Sequence, residues 1–375
     1  MKNVPDGTLF NRQFCVGAPQ NCCDRSGKIT YAILPRGRSK RRSDMEGKMT
    51  ILVLSCGTRN KLIRFFRKTL AGRPDGGRVI AADCSPWAPA LYEADARYLV
   101  ERITEPGYLE HLLEISKKEA VDAVLPLFED ELELIAKNRD EFEREGIWAV
   151  VSEREAVELC RDKYRFYQHL KKNGLPALTT CCSLEEADRA VAEGALSFPV
   201  FVKPVRGCGS AGIAVAQDRE MLETLCRHSP EGLLIQQLAT GEEFGADIYV
   251  DRFSKKAVSI FTKRKVRMRA GETEKSLSVR EPELFELIER TAATLPLSGP
   301  IDMDLFRMDG RWYISEINPR FGGGYPHAWH CGVNFPALIA ENAAGRENPV
   351  AMGAYEAGIA MMKYSDEVIR KMEEG

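Results

Sequence analysis

The 375-residue sequence has no apolar run near the roughly 18–20 residues that cross a bilayer. Its net charge is only −2 at pH 7, so no global field draws it to nucleic acid or anionic lipid. Basic residues near the N-terminus have no apolar segment behind them, which argues against a secretory signal. Together these absences predict a cytoplasmic protein with no membrane or nucleic-acid partner. The eleven cysteines include no CxxC pair. Cys22–Cys23 and Cys181–Cys182 are vicinal, a poor geometry for a disulfide framework, so reduced thiols are expected. The turn after the first strand offers Gly57 alone, where a dinucleotide-binding fingerprint needs three glycines. No Ser-His-Asp or Cys-His arrangement stands out.

What is present is a chain that is 44% apolar and long enough for two or three packed subdomains. Residues 1–48 differ from the rest, with an aperiodic apolar pattern and the basic run Gly37 to Arg42. That run suits either a partner-binding arm or a bland extension. The expectation is a disordered or mis-assigned extension, with Met45 or Met49 as alternative starts. From Met49 strands and helices alternate. Ile51–Leu54, Val79–Ala82, Val124–Pro126 and Ile147–Val151 read as strands, and Leu62, Phe65, Phe66 and Leu70 as one helix face. Alternation of this kind implies a parallel sheet, hence a Rossmann-like domain over 49–150.

Two capping patterns follow, Ser152-x-x-Glu155 and Ser183-x-x-Glu186, the first opening a helix expected to run to about Asn173. Short strands at Phe198–Val202, Ile213–Val215 and Leu233–Gln237 suggest a small α+β lid at 175–238, within a segment 151–238. A strand-rich part at 239–350 and a tail at 351–375 complete the chain. The tail's end, Ser365 to Gly375, reads as a short charged helix or a fray.

The strongest chemical signal is Asp304 with Glu316-Ile317-Asn318-Pro319-Arg320. Ile301–Arg307 and Trp312–Ile317 read as strands joined by an Asp-Gly turn. Alternation along a strand sends Glu316 and Asn318 to one face, with Asp304 beside them. Two carboxylates and an amide oxygen suit Mg²⁺. Lys163 and Lys203 are the second signal. Lysine at the end of an apolar strand needs an anionic partner, and phosphate supplies one. The loop Arg206 to Gly212 follows Lys203, and its Gly207, Gly209 and Ser210 free backbone N–H groups for phosphate oxygens. The third signal is Gln236-Gln237-Leu238-Ala239 followed by Glu243, a strand running into a linker with an acid that can accept ribose hydroxyls. The stretch Lys263 to Glu272 lies between these signals and suits anion contact in a site, a solvated loop or a nucleic-acid patch; Arg267 and Arg269 at alternate positions could both point into a site. His327 and His330 border a pocket or are ordinary buried histidines, and Tyr325 and Trp329 lie near them.

In this order, Asp162-Lys163, Lys203-Pro204 with its glycine loop, GEEFGAD (241–247) and Asp304 with EINPRFGG (316–323) resemble the ATP-grasp superfamily. The likeness is to its carbamoyl-phosphate-synthase-like and carboxylate–amine ligase branches, over about Met49 to Gly345. It implies a Rossmann-like pre-ATP-grasp domain before a two-lobed ATP-grasp fold, α/β and then α+β. It implies ATP with Mg²⁺, two ions, for which Mn²⁺ can substitute. Lys163 and Lys203 match the phosphate lysines and Glu243 the ribose acid. Gln236 or Gln237 faces the adenine, with backbone groups of Leu238 and Ala239 at its edge. Asp304, Glu316 and Asn318 match the metal ligands. Arg320 matches an arginine at the transferred phosphate, and Arg267 and Arg269 a segment over the site. The implied activity joins a small carboxylate to an amine through an acyl-phosphate, in a chain that is a candidate homodimer. A carbonate- or carbamate-phosphorylating enzyme and a non-catalytic nucleotide-binding regulator are the alternatives. Substrate selection is expected from first-domain loops, including Glu129 and Asp130.

Overall fold

The computed structural model describes residues 48–205, 212–229, 232–269 and 271–372. The expectations for the N-terminal extension, and for Gly207, Gly209 and Ser210, lie outside the described residues.

The mostly apolar run at Met49 forms β1 (Met49–Leu54), buried along its length. Helix α1 (Asn60–Ala71) turns Leu62, Phe65, Phe66 and Leu70 inward at helical spacing. β2 (Gly77–Asp83), β3 (Ala96–Leu99), α2 (Tyr108–Lys118), β4 (Ala123–Pro126), α3 (Glu129–Lys137), α4 (Arg139–Arg144) and β5 (Trp148–Ala149) follow. The five strands are parallel in the order β3-β2-β1-β4-β5. Chain direction across the sheet reverses between β1 and β4. The loops after these two strands therefore open a crevice at the carboxyl edge. Sequence reading missed β3, whose four residues are too short for a period to show. The acidic run Glu129-Asp130-Glu131 starts α3, where the positive end of the helix dipole favours acids.

The single helix expected after Ser152 is two, α5 (Arg154–Arg161) and α6 (Lys163–Lys172). Asp162 has extended backbone between them and caps α6, accepting the Arg165 N–H at 3.0 Å. Ser152 caps nothing, because its hydroxyl is taken by the backbone of Ser298. After β6 (Thr180–Cys181), Ser183 does cap α7 (Leu184–Ala192), accepting the Glu186 N–H at 3.1 Å. β7 (Val200–Pro204), β8 (Ala214–Ala216), α8 (Arg219–Arg227) and β9 (Leu233–Gln237) complete an antiparallel sheet of order β6-β9-β7-β8. Its Val200, Val202 and Ile235 pack with Ala187 and Leu222 of α7 and α8.

A six-stranded antiparallel sheet forms the remainder, in the order β14-β13-β10-β11-β12-β15. Its elements are β10 (Glu242–Val250), β11 (Ala257–Arg269), β12 (Glu272–Val279), α9 (Pro282–Ala292), β13 (Gly299–Met308), β14 (Arg311–Asn318), α10 (Tyr325–His330), α11 (Phe335–Ala343) and β15 (Ala360–Met362). The β13–β14 hairpin turns at Asp309-Gly310, both with positive φ (48° and 74°), as a two-residue primed turn requires. Phe65 of α1 stacks on Trp329 of α10 at 4.4 Å, and Phe66, Phe321, Tyr325 and Phe335 join the same core. This apolar joint fixes the crevice of the parallel sheet against the carboxyl end of β14. Residues 365–372 hold no regular element, and no helix among the described residues is long and apolar enough to cross a membrane.

Candidate functional site

A cavity of about 660 Å³ lies between the small sheet, the large sheet and the crevice of the parallel sheet. Its acidic wall is the β13–β14 hairpin. Asp304 stands opposite Glu316 in the register and Asp302 opposite Asn318, so four oxygen-bearing side chains share one face. The Asn318 amide donates to Glu316 Oε1 at 3.4 Å. Sequence reading named three of these residues and missed Asp302, although its position two residues before Asp304 carried the same alternation signal.

Lys265 on β11 crosses to this wall. Its ammonium lies 2.6 Å from Asp304 Oδ1 and 2.8 Å from Glu243 Oε1, with the side chain 4% exposed. Burial opposes that charge, but Asp304 and Glu243 more than offset it and raise the lysine's pKa. Burial also holds the Asp304 carboxyl above its usual range against the pull of Lys265, with like charge from Asp302 and Glu316 adding to the rise.

The opposite wall is the small sheet. Phe201 pairs with Gln236, and Lys203 with Leu234, so Phe201, Lys203 and Gln236 share the cavity face. Val200 and Val202 point to the other face, while Gln237, at the end of β9, also borders the cavity. Gln237 Oε1 accepts from the Thr179 N–H at 3.4 Å, whereas Gln236 donates its amide to Thr180 Oγ1 at 2.9 Å. Lys203 is 8% exposed, and among the described residues its ammonium has no carboxylate partner. Burial lowers its pKa, Glu316 counters that, and Lys163 adds to it. The Lys163 N–H bonds Val205 O at 3.4 Å, which brings the start of α6 beside the end of β7. Leu238, Ala239 and Glu243 border the cavity as the chain leaves β9.

Both crevice loops reach the same cavity. Glu129, after β4, accepts from Arg320 Nη2 at 2.6 Å, and Arg320 Nη1 lies 3.3 Å from Asp302 Oδ2. Burial works against the Arg320 charge, but Asp302 and Glu129 outweigh it and its pKa rises. Arg59, after β1, pairs with Glu272 Oε1 at 3.3 Å. Glu272 was expected only as the end of the stretch over the site, and Arg59 was not anticipated, since nothing in a local pattern links a strand-end loop to so distant a residue.

The basic stretch departs from expectation. Arg269 and Met268 border the cavity and Arg267 does not, although both arginines are mostly exposed and pair with Glu274, Arg267 at 2.9 Å and Arg269 at 3.4 Å. Register shifts between Lys265 and Arg267 and between Arg267 and Met268 break the alternation that sent both arginines inward. His327 is a buried core histidine. Its Nδ1 meets Ser276 Oγ at 2.8 Å and its Nε2 meets Ile359 O at 3.0 Å, and burial lowers its pKa to about 4. Trp329 is spent on Phe65. Among the described residues no three His, Cys, Asp or Glu side chains converge as a closed metal cage.

The hairpin wall nevertheless fits a hard divalent cation that takes its remaining ligands from phosphate and water. Its donors are carboxylate and amide oxygens, and the Lys265 ammonium already stands against Asp304 as a stand-in cation. Lys203, across the cavity, supplies the complementary charge for the anion such a cation would carry.

Comparison with known proteins agrees with this fold. A PylC-like N-terminal domain matches residues 51–151, and an ATP-grasp domain matches residues 160–324. The carbamoyl phosphate synthase large chain of Halomonas eurihalina is 27% identical over 293 residues, covering 74% of this chain and 26% of that protein. The chain thus spans about a quarter of the length of such large chains. The 3-methyl-D-ornithine–L-lysine ligase of Methanosarcina acetivorans is 28% identical over 268 residues, 70% of this chain and 66% of the ligase. Among solved structures, the biotin carboxylase domain of Hydrogenobacter thermophilus 2-oxoglutarate carboxylase, in complex with MgADP, ADP and bicarbonate, superposes with a TM-score of 0.66 at 18% identity, over 83% of this chain and 73% of that one. This chain thus carries a PylC-like N-terminal domain followed by an ATP-grasp domain, over residues 51–324.

Proposed function

We propose that this protein is an ATP-dependent ligase that phosphorylates a small carboxylate and passes the acyl group to an amine, releasing ADP and phosphate. The observation that carries this reading is one cavity in which buried Lys203, with no carboxylate partner among the described residues, faces the acidic hairpin of Asp304 and Glu316. A lysine desolvated in that way favours an anion, and an acidic wall opposite favours a cation, so the pair suits a metal-bound polyphosphate.

A carboxylate is a poor electrophile because its leaving group would be oxide. Transfer of the γ-phosphoryl group gives a mixed anhydride, whose C–O bond breaks as the C–N bond forms. Phosphate leaves with the electron pair, and the amine nitrogen sheds a proton to solvent. The chain's own work is positioning and charge neutralisation. Gln236, on the Lys203 face and with its N–H donated to Thr180, presents its oxygen to the adenine amino group. Glu243 accepts the ribose hydroxyls. Lys163, Lys203 and Lys265 steady the phosphates. Arg320 and Arg269 offset charge at the transferred group. Asp304, Glu316 and Asn318 would hold Mg²⁺, which when bound neutralises the β- and γ-phosphates. The small sheet with α7 and α8 acts as the lid that keeps water from the acyl-phosphate.

The test is ADP release with ATP and Mg²⁺ over pooled acids and pooled amines, with Lys203→Ala as control. Release that depends on one acid pool and one amine pool supports the ligase reading. Release with bicarbonate alone favours carbonate phosphorylation, the reading that the carbamoyl phosphate synthase relatives support. Tight nucleotide binding with no release in any pool, bicarbonate included, turns the reading toward a regulator.

A further inference from the structure

A second cavity, of about 270 Å³, adjoins the first and shares Arg59, Glu272 and Gly323 with it. One wall is the start of α1, with Asn60, Lys61 and Arg64. Facing it is the chain segment after β15, with Lys363, Tyr364, Asp366 and Glu367. The floor is the glycine loop after β14. A side chain at Gly323 would bring a Cβ within 2.8 Å of the Glu272 carboxyl carbon, so glycine there lets that carboxylate sit at the junction.

Charge in this cavity is sorted. The α1 wall is basic: Lys61 and Arg59 stand beside the first turn of a helix with no side-chain cap and no acid of its own. A carboxylate is favoured at that end by both the lysine and the helix dipole. The junction is acidic. Glu272 is held ionised there, burial being outweighed by Arg59 and Lys363. Arg59 lies 3.3 Å from one oxygen of Glu272 and Lys363 3.0 Å from the other, and Lys363 also donates to Gly323 O at 2.8 Å. Glu272 is about half exposed, and ion pairs of that kind are weak enough to exchange partners.

Resting on the ligase reading, we propose that this second cavity receives the nucleophilic substrate, and that this substrate is an amine carrying its own carboxylate, a free amino acid or a similar zwitterion. Its carboxylate meets Lys61 and the start of α1. Its ammonium meets Glu272 in place of Arg59 or Lys363, at the opening through which the deprotonated amine reaches the acyl-phosphate. Asp366 and Glu367 on the closing segment repel a carboxylate from the opposite wall and so fix which way round the substrate lies. The basic wall rejects an amine that lacks the carboxylate.

Calorimetric titration of the full chain, saturated with MgADP, with each of the free L-amino acids tests this, followed for every binder by the corresponding decarboxylated amine. At least one amino acid should bind, its decarboxylated amine about tenfold or more weaker, and Lys61→Ala should weaken the amino acid by a similar factor without weakening the amine. Glu272→Gln should weaken both. ADP affinity measured on the same samples reports whether each variant is folded. Amino-acid binding that ignores both substitutions, or ADP binding with no amino-acid binding at all, overturns the inference while the nucleotide reading stands. Loss of ADP binding in the wild-type chain would instead remove the ligase reading beneath it.

Discussion

The guanidinium of Arg320 bonds the carboxylate of Glu129 at 2.6 Å, joining the end of the metal-type hairpin to the crevice of the parallel sheet. Both side chains are mostly buried, and Asp302 shares the arginine. The pair therefore sets where Arg320 points as well as holding two parts of the chain together. Glu129→Gln should lower kcat by roughly tenfold or more, since a small misplacement of a positioned group is costly, and leave ADP affinity within about twofold. A double-mutant cycle with Arg320→Ala should show coupling of about 1–3 kcal/mol in urea unfolding. Coupling near zero would mean that the contact is incidental.

Glu316 has no such second role. It faces Asp304 across the hairpin and receives the Asn318 amide. Glu316→Ala should cut ADP release by about 100-fold or more, and should also remove the dependence of nucleotide affinity on Mg²⁺. Titrations with ATP in the presence and absence of Mg²⁺ read the second effect without any need for substrates. Unchanged Mg²⁺ dependence would take Glu316 out of the ligand set.

Lys203 gives a prediction of opposite sign in the two states. Its ammonium is buried without a carboxylate partner among the described residues, and burial lowers its pKa. Lys203→Met removes that desolvated charge and keeps the bulk. The ligand-free variant should gain about 1 kcal/mol, seen as a rise of roughly 2–4 °C in Tm, while its ADP affinity falls about tenfold or more. A variant that is both less stable and equally tight for ADP would show that Lys203 is a structural residue.

Much of the hairpin wall was legible because β-alternation and an Asp-Gly turn are local. Asp304, Glu316 and Asn318 need no knowledge of the rest of the chain, and Ser183 announced α7 in the same way. The failures are non-local or irregular. Lys265 and Glu272 matter through partners on other strands and in distant loops. Ser152 fitted a cap pattern but is held by Ser298, 146 residues on. Arg267 was lost to register shifts that no composition signals. Hence Arg269→Ala should lower ADP release by about tenfold, as loss of one charge-assisted contact would, and Arg267→Ala should stay within about twofold. Equal effects would mean that β11 changes register when the site closes.

Glu131 lies beneath the first-strand loop that carries Arg59. It is fully buried, and it accepts from Ser55 Oγ at 3.0 Å and from the Tyr108 hydroxyl. Burial pushes its pKa from 4.5 up to about 7, against the pull of those hydrogen bonds. The folded state therefore keeps a proton that the unfolded chain releases above about pH 4.5. Stability from this group is complete below that pH and is lost as the pH rises through about 7, a change of about 3 kcal/mol at roughly 1.4 kcal/mol per pH unit. Glu131→Gln cannot lose that proton. Measured by urea unfolding, the variant should be close to or below wild type at pH 5 and should gain on it by up to about 3 kcal/mol at pH 8. Asp304 titrates alike in both proteins and so cancels from the difference. A difference that stays the same at both pH values would mean that Glu131 is ionised in the folded protein throughout, held by Ser55 and Tyr108 strongly enough to overcome its burial.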